Sequence, residues 1–152
     1  GEIAAVFQVD GRGLGHGVVG GGGSADPPPR ETLDAEKHFL SQAGRNVYKN
    51  AVPDMYPASV DILTRNNLTA ETIDWLVPHQ ANLRIIEAVS SRAGIPEEKV
   101  LVNIQHTGNT SAASIPLCLD EFKNKLKKGD KILLTAFGAG FTWGSMLLVW
   151  DI

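Results

Sequence analysis

Three polar segments follow apolar runs of the sequence and contain residue types that could together form a ligand-binding or catalytic site. His79 follows the first run, Asn109 follows the second, and a Gly-Ala-Gly turn at 138–140 follows the third. In an open α/β sheet, ligands bind beyond the carboxyl ends of the strands. The three segments are therefore predicted to converge at one edge of a sheet. Taken singly, they also fit a turn histidine, a helix N-cap and a turn glycine.

Other catalytic motifs are either absent from the sequence or stand among residues that exclude their usual function. Residues 15–20 match the pattern G-x-G-x-x-G, but they continue into GGGGSADPPP, where no helix can begin to hold a pyrophosphate. We interpret this stretch, 20–29, as an exposed loop. The four histidines are scattered without metal-ligand spacing, and no G-x-S-x-G nucleophile elbow occurs.

Cys118 is the single cysteine of the chain, and its setting favours a core residue over a nucleophile. It shares one helical face with four apolar residues, namely Ile115, Leu119, Phe122 and Leu126. Nucleophilic cysteines are usually partly exposed and lie near a cation or a helix N-terminus. A free cysteine on an apolar face behaves as a small hydrophobic residue.

The elements that position these segments follow from apolar periodicity and turn residues. Strands are predicted at 3–9, 73–77, 100–104, 131–137 and 143–150, and helices at 41–64, 81–93 and 111–127. Pro53 and Pro57 predict a kink in the first helix or its division into two. The alternation indicates an α/β fold with a mainly parallel sheet. The last strand is predicted to be antiparallel, because its connection is too short for a crossover.

The composition of the chain limits the classes of protein to which it can belong. The chain has 152 residues, 43% apolar and 20% charged, with a net charge of −3. These values predict one hydrophobic core and exclude a disordered tail or a generally basic nucleic-acid binder. One cysteine cannot form an internal disulfide, and we expect a cytoplasmic protein. Residues 132–150 carry no charge, but glycines interrupt them, so two buried strands are favoured over a membrane span.

Three motifs carry a family resemblance: WLVPHQANLR at 75–84, GNTSAAS at 108–114 and FGAGFTWG at 137–144. In order and spacing they resemble the condensing enzymes of the thiolase superfamily, most closely the β-ketoacyl-acyl carrier protein synthase III family. The resemblance covers nearly the whole chain but only the C-terminal half of the family. It implies one thiolase-like domain over 1–152, a five-stranded mixed sheet with helices on both faces. The nucleophilic cysteine is then expected in an N-terminal half outside these residues.

The resemblance implies a decarboxylative Claisen condensation. A cysteine of the other half takes an acyl group, typically acetyl, from coenzyme A, and malonyl-acyl carrier protein then loses carbon dioxide and attacks the thioester. His79 and Asn109 resemble the pair that stabilises the resulting enolate, a task that needs N–H donors and a neutral imidazole. The backbone amide of Ala139 resembles part of the acyl oxyanion hole.

Further residues take supporting roles by the same resemblance. Phe137 corresponds to the aromatic residue beside the catalytic pocket, and Asn82 to an asparagine that steadies the catalytic centre. Gly138 and Gly140 belong to the turn that presents the oxyanion amide.

Four basic residues resemble a docking patch for acyl carrier protein and the pantetheine chain of coenzyme A: Arg84, Lys49, Arg45 and Arg92. A solvated face is the alternative for Arg84, Lys49 and Arg92. Arg45 stands where relatives often carry an asparagine.

The resemblance implies a homodimer for the complete enzyme, with no metal, no covalently bound cofactor and no nucleic-acid or membrane partner. Two alternatives stay open. One is a related condensing enzyme that makes polyketides, quinolones or ketones, and the other is a non-catalytic module that binds carrier protein.

Overall fold

A computed structural model describes residues 2–27 and 30–152. Within them, the strands are β1 (Glu2–Val9), β2 (Gly17–Val19), β3 (Leu40–Gln42), β4 (Trp75–Pro78), β5 (Lys131–Gly138) and β6 (Thr142–Val149). The helices are α1 (Arg30–Asp34), α2 (Gly44–Arg65), α3 (Leu83–Ala93), α4 (Ile104–Thr107) and α5 (Ser114–Phe122). Residues 20–27 of the predicted loop lie outside helices and strands, as expected. Residues 28 and 29 of that loop are outside the described part of the chain.

The main sheet has the strand order β1-β6-β5-β4. β4 and β5 are parallel, whereas β6 is antiparallel to both β5 and β1. Three strands therefore run in one direction and β6 runs in the other, which confirms the mixed α/β sheet and its antiparallel last strand. A separate ribbon pairs β2 with β3, and the sequence did not predict it.

Alternating side chains of the strands bury both faces of the sheet. Leu133 and Leu147 pack with Ile62 of α2 on one face. Ile132 packs with Cys118 of α5 on the other face. This two-fold alternation along the strands is what places helices on both sides of the sheet.

The predicted strand at 100–104 is wrong, and the described main sheet has four strands instead of five. Val100 forms only an isolated parallel bridge to Leu76, where the Leu101 N–H donates to the Leu76 carbonyl at 2.9 Å. Two residues later the Asn103 N–H donates to Gln80 Oε1 at 3.0 Å. That side-chain bond takes the chain away from the sheet edge and into α4.

Two helix predictions also need correction. α2 is one helix with Pro53 and Pro57 inside it, not two shorter helices, and it begins at Gly44 because β3 occupies the residues before it. The helix predicted at 111–127 is a 3₁₀ turn at Ser111–Ala113 followed by α5, which ends at Phe122.

α3 follows its sequence signals closely. The Asn82 side chain caps its first turn, and Gly94 ends it with φ of 69°, a left-handed conformation that favours glycine.

Candidate active site

A cavity of about 830 Å³ opens at the carboxyl ends of β4 and β5. Its wall contains five of the predicted site residues: His79, Asn109, Phe137, Gly138 and Ala139. The three polar segments that the sequence predicted to meet therefore line one cavity, two of them at strand ends and the third, with Asn109, in the loop between α4 and α5.

His79 comes directly after β4 and is held on two sides. Its backbone N–H donates to the Thr135 carbonyl at 2.8 Å, which extends the pairing of β4 with β5 by one residue. Its imidazole Nδ1 lies 2.6 Å from Ser114 Oγ. Burial lowers the pKa of His79, so the ring is neutral near pH 7.

Asn109 is an exposed residue in the loop between α4 and α5, and its amide has a defined orientation. The Ser111 N–H donates to Asn109 Oδ1 at 2.9 Å, an Asx turn that uses the acceptor end of the side chain. Ser111 itself adopts φ of 53°, a left-handed conformation that costs free energy in a residue other than glycine. The Nδ2 amino group of Asn109, a residue of the cavity wall, is thereby left as the donor end of the side chain.

The turn between β5 and β6 contributes backbone to the cavity wall. The Thr142 hydroxyl donates to the Ala139 carbonyl at 3.1 Å and fixes the turn. Among the described residues, no backbone hydrogen bond is donated by the Ala139 N–H. That N–H is available to an anionic oxygen. Gly140 adopts φ of 138° beside it but does not line the cavity.

Phe137 forms the aromatic part of the wall. Its ring centroid lies 4.9 Å from that of Phe141 and 6.3 Å from that of Trp143. Met55 and Val52 of α2 pack against it in the same core cluster. The aromatic group is therefore anchored in the core and gives the cavity an apolar side.

The structure does not bring Asn82 to the cavity. Its Oδ1 accepts the Arg84 N–H at 2.9 Å as the cap of α3, and the residue is absent from the cavity wall. The family resemblance implied a role at the catalytic centre for Asn82, but α3 starts directly after it, at Leu83, and the Asn82 side chain caps the first turn of that helix.

The four basic residues are all exposed. Arg45 and Lys49 lie in the first two turns of α2, and Arg84 lies in the first turn of α3. Val47 of α2 and Ile85 of α3 line the cavity, so these three cations lie in the same helical turns as residues of the cavity wall. Arg92 is in the last turn of α3, about 12 Å along the helix axis from Arg84.

Sequence reasoning missed the groups that hold the site together. Gln80 is fully buried, and its Nε2 donates to the Pro78 carbonyl at 2.7 Å. Its Oε1 accepts the Asn103 N–H, so one side chain joins the segment after β4 to the segment before α4. Ser114 was missed as well, although a polar residue one helical turn before the core residue Cys118 is a signal for a buried partner.

Cys118 is a core residue, as predicted. It is fully buried, and burial raises the pKa of its thiol to about 12, with a smaller contribution from the Glu121 carboxylate. The described residues contain no group of three or more His, Cys, Asp or Glu that could hold a metal ion. They also contain no helix long and apolar enough to cross a membrane.

A family model described as 3-oxoacyl-[acyl-carrier-protein (ACP)] synthase III C terminal matches residues 63–150, which is more than half of the chain and includes His79, Asn109 and the β5–β6 turn. The chain belongs to the 3-oxoacyl-[acyl-carrier-protein] synthase III family. The match falls on the same three segments that line the cavity, and it confirms the family predicted from the motifs.

Relatives of the synthase III family align over almost the whole chain. A β-ketoacyl-[acyl-carrier-protein] synthase III of Bacteroides thetaiotaomicron is 53% identical over 150 residues, covering 99% of this chain and 45% of that protein. Crystal structures of synthase III from Pseudomonas aeruginosa and Aquifex aeolicus superpose with TM-scores of 0.86 and 0.84 at 34% and 36% identity. They cover 99% and 98% of this chain but 44% of each solved chain. The chain spans somewhat less than half the length of these relatives.

Proposed function

We propose that this chain is the C-terminal catalytic part of an enzyme that joins an acyl-coenzyme A primer, typically acetyl, to malonyl-acyl carrier protein with loss of carbon dioxide. The product is a 3-ketoacyl-acyl carrier protein for fatty acid synthesis. One observation carries the proposal: the neutral His79 imidazole and the Asn109 amide, two side chains that can each donate an N–H, line one cavity, and Asn109 Oδ1 already accepts the Ser111 N–H.

The donors suit the decarboxylation step. The bond between the malonyl carboxylate and the α-carbon breaks, carbon dioxide leaves, and the electron pair moves to the thioester oxygen as an enolate. Donors that already point at that oxygen stabilise it without reorganising. The enolate carbon then attacks the acyl thioester, whose oxygen takes the negative charge next to the Ala139 N–H before the cysteine thiolate leaves.

The nucleophilic cysteine belongs to an amino-terminal part in this proposal, because Cys118 is buried and protonated. An exposed apolar face supports such a partner. Ala4 and Val6 of β1 pack toward α2, so alternate residues Phe7 and Val9 face the other way, and these two are 74% and 72% exposed. Below, the term complete synthase means this chain joined to the amino-terminal part that its relatives have. A cytoplasmic homodimer is part of the same proposal.

The function is tested with the complete synthase, acetyl-coenzyme A and malonyl-acyl carrier protein. We expect release of carbon dioxide and formation of the acetoacetyl product, with the acetyl group on a cysteine of the amino-terminal part and none on Cys118. Peptide mapping by mass spectrometry locates the adduct. Carrier-protein binding without release of carbon dioxide would contradict the proposal and support the non-catalytic module, and an adduct on Cys118 would contradict the assignment of the nucleophile.

The basic residues around the cavity mouth are proposed to dock the acidic carrier protein. We expect Arg84→Glu and Lys49→Glu to raise the KM for malonyl-acyl carrier protein about tenfold in the complete synthase, since rim charges control encounter and its salt dependence. The effect should shrink as salt is added. Lys127→Glu is the matched control, because this exposed lysine precedes β5 at the opposite end of the sheet. An equal rise in KM for the control variant would rule out a localised patch.

A further inference from the structure

The imidazole of His79 contacts a buried hydroxyl to which the reaction just described gives no role. Ser114, the first residue of α5, is only 2% exposed, and its Oγ lies 2.6 Å from His79 Nδ1. The residue also lines the cavity. This contact decides which imidazole nitrogen carries the ring proton.

The direction of the proton follows from the other bond that the hydroxyl makes. The Gln80 backbone N–H donates to the same Ser114 Oγ at 3.2 Å, so that oxygen already accepts a hydrogen bond. Among the described residues, His79 Nδ1 is the one hydrogen-bond partner of Ser114 that can accept the hydroxyl hydrogen. If Nδ1 carried the ring proton, the buried hydroxyl would have no acceptor, which costs free energy.

We infer that Ser114 is a positioning residue whose hydroxyl donates to His79 Nδ1 and holds the imidazole in the tautomer that carries its proton on Nε2. The inference rests on the proposed function for its catalytic consequence, because Nε2–H is then the donor to the malonyl enolate. It accords with the burial of His79, which keeps the ring neutral and leaves it a single proton to place. Gln80 takes part through its backbone, so the end of β4 fixes the hydroxyl that orients the ring.

The tautomer is read directly by nitrogen NMR of the complete synthase labelled with ¹⁵N-histidine. The His79 signal is assigned as the one lost in His79→Ala. We expect a protonated Nε2 and an unprotonated Nδ1 in the parent, and a mixture of both tautomers in Ser114→Ala. Ser114→Thr keeps the hydroxyl and is expected to restore the parent pattern.

Kinetics supply the second readout. Ser114→Ala is expected to lower kcat for malonyl decarboxylation about 10- to 100-fold, the range found when the hydrogen-bond partner that orients a metal-bound histidine is removed, with KM for malonyl-acyl carrier protein unchanged. Acylation of the cysteine should keep its parent rate. Ser90→Ala is the matched control: Ser90 is also a buried helical serine, its hydroxyl donates to the Glu87 carbonyl at 3.0 Å, and it lies outside the cavity wall.

The outcomes separate this inference from the proposed function. A His79 protonated on Nδ1 in the parent, or an unchanged tautomer in Ser114→Ala, would overturn the role of Ser114. A parent enzyme that forms the Nε2–H tautomer but releases no carbon dioxide would instead contradict the proposed function, while the hydrogen bond itself stands. A similar loss in Ser90→Ala would show that the kinetic effect comes from general destabilisation of the protein and not from the imidazole.

Discussion

His79→Ala in the complete synthase is expected to slow malonyl decarboxylation by about 10²- to 10³-fold, the range found when one oxyanion donor is removed. The loss arises because the enolate oxygen would keep only the Asn109 amide as a donor. Acylation by acetyl-coenzyme A should stay near the parent rate, since that step uses the cysteine and the Ala139 N–H. Carbon dioxide release and single-turnover acyl transfer are measured separately on the same preparation.

Asn109→Asp sharpens this prediction because it keeps the shape of the side chain. The carboxylate can still accept the Ser111 N–H that Asn109 Oδ1 accepts at 2.9 Å, so the turn is preserved. The remaining oxygen offers a negative charge where the enolate needs a donor, and we expect decarboxylation to fall at least as far as in His79→Ala. His106→Ala is the control, because its Nε2 bonds to Glu121 at 3.0 Å, away from the cavity wall. Equal losses of acylation and decarboxylation would contradict the assigned roles.

Gly144→Ala is expected to destabilise the protein by about 2–4 kcal/mol, at or above the usual cost of overpacking. A Cβ at Gly144 would lie 2.6 Å from the Val6 carbonyl oxygen and 2.7 Å from Phe7 Cδ1. The exposed Phe7 ring can move away, but the Val6 carbonyl belongs to the backbone of β1. The strand would have to shift from β6, and the ladder between them would weaken.

Unfolding in urea and amide exchange of the complete synthase measure this effect. We expect a lower midpoint and faster exchange in β1 and β6 for Gly144→Ala. Gly44→Ala is the matched control, because a Cβ there meets nothing within 4 Å and alanine favours a helix. Its stability should lie within about 0.5 kcal/mol of the parent or above it. Equal midpoints for the two variants would show that the close approach of β1 to β6 is not a constraint.

The meeting of His79 and the 138–140 turn was predictable because each follows a strand, and strand ends share an edge of the sheet. Asn109 lines the same cavity although the apolar run before it is not a strand. The identity of the family was predictable from the three motifs that hold those residues. The orientation of each donor was not. It depends on Ser111 and Ser114, whose partners are set by the three-dimensional turn before α5.

The fifth strand is missing for a reason that the pattern of apolar residues in the sequence cannot reveal. Residues 100–104 read as a strand, but Gln80 Oε1 accepts the N–H groups of Asn103 and Ile104 at 3.0 Å and 3.3 Å. A buried side chain from a distant part of the chain thus competes with the sheet for these donors. Only Val100 and Leu101 stay near β4.

The continuity of α2 has a similar origin in its surroundings. Pro53 and Pro57 remove the donors that the carbonyls of Lys49 and Pro53 would use, and these residues are exposed to water, which can replace them. The buried face, with Val52 and Met55, packs on Phe137 and its neighbours along the helix. Packing therefore maintains a helix that local propensity would divide.

The stretch 109–114 positions both side chains proposed as enolate donors, since Ser111 fixes the Asn109 amide and Ser114 contacts the His79 ring. A single insertion or deletion within it would displace both partners together. For protein engineering, this stretch is one transferable cassette: a graft into another scaffold needs all of it, together with the histidine that follows β4. A library that varies residues 110–113 should be selected on carbon dioxide release. A selection for carrier-protein binding would not detect variants in which His79 and Asn109 are misaligned.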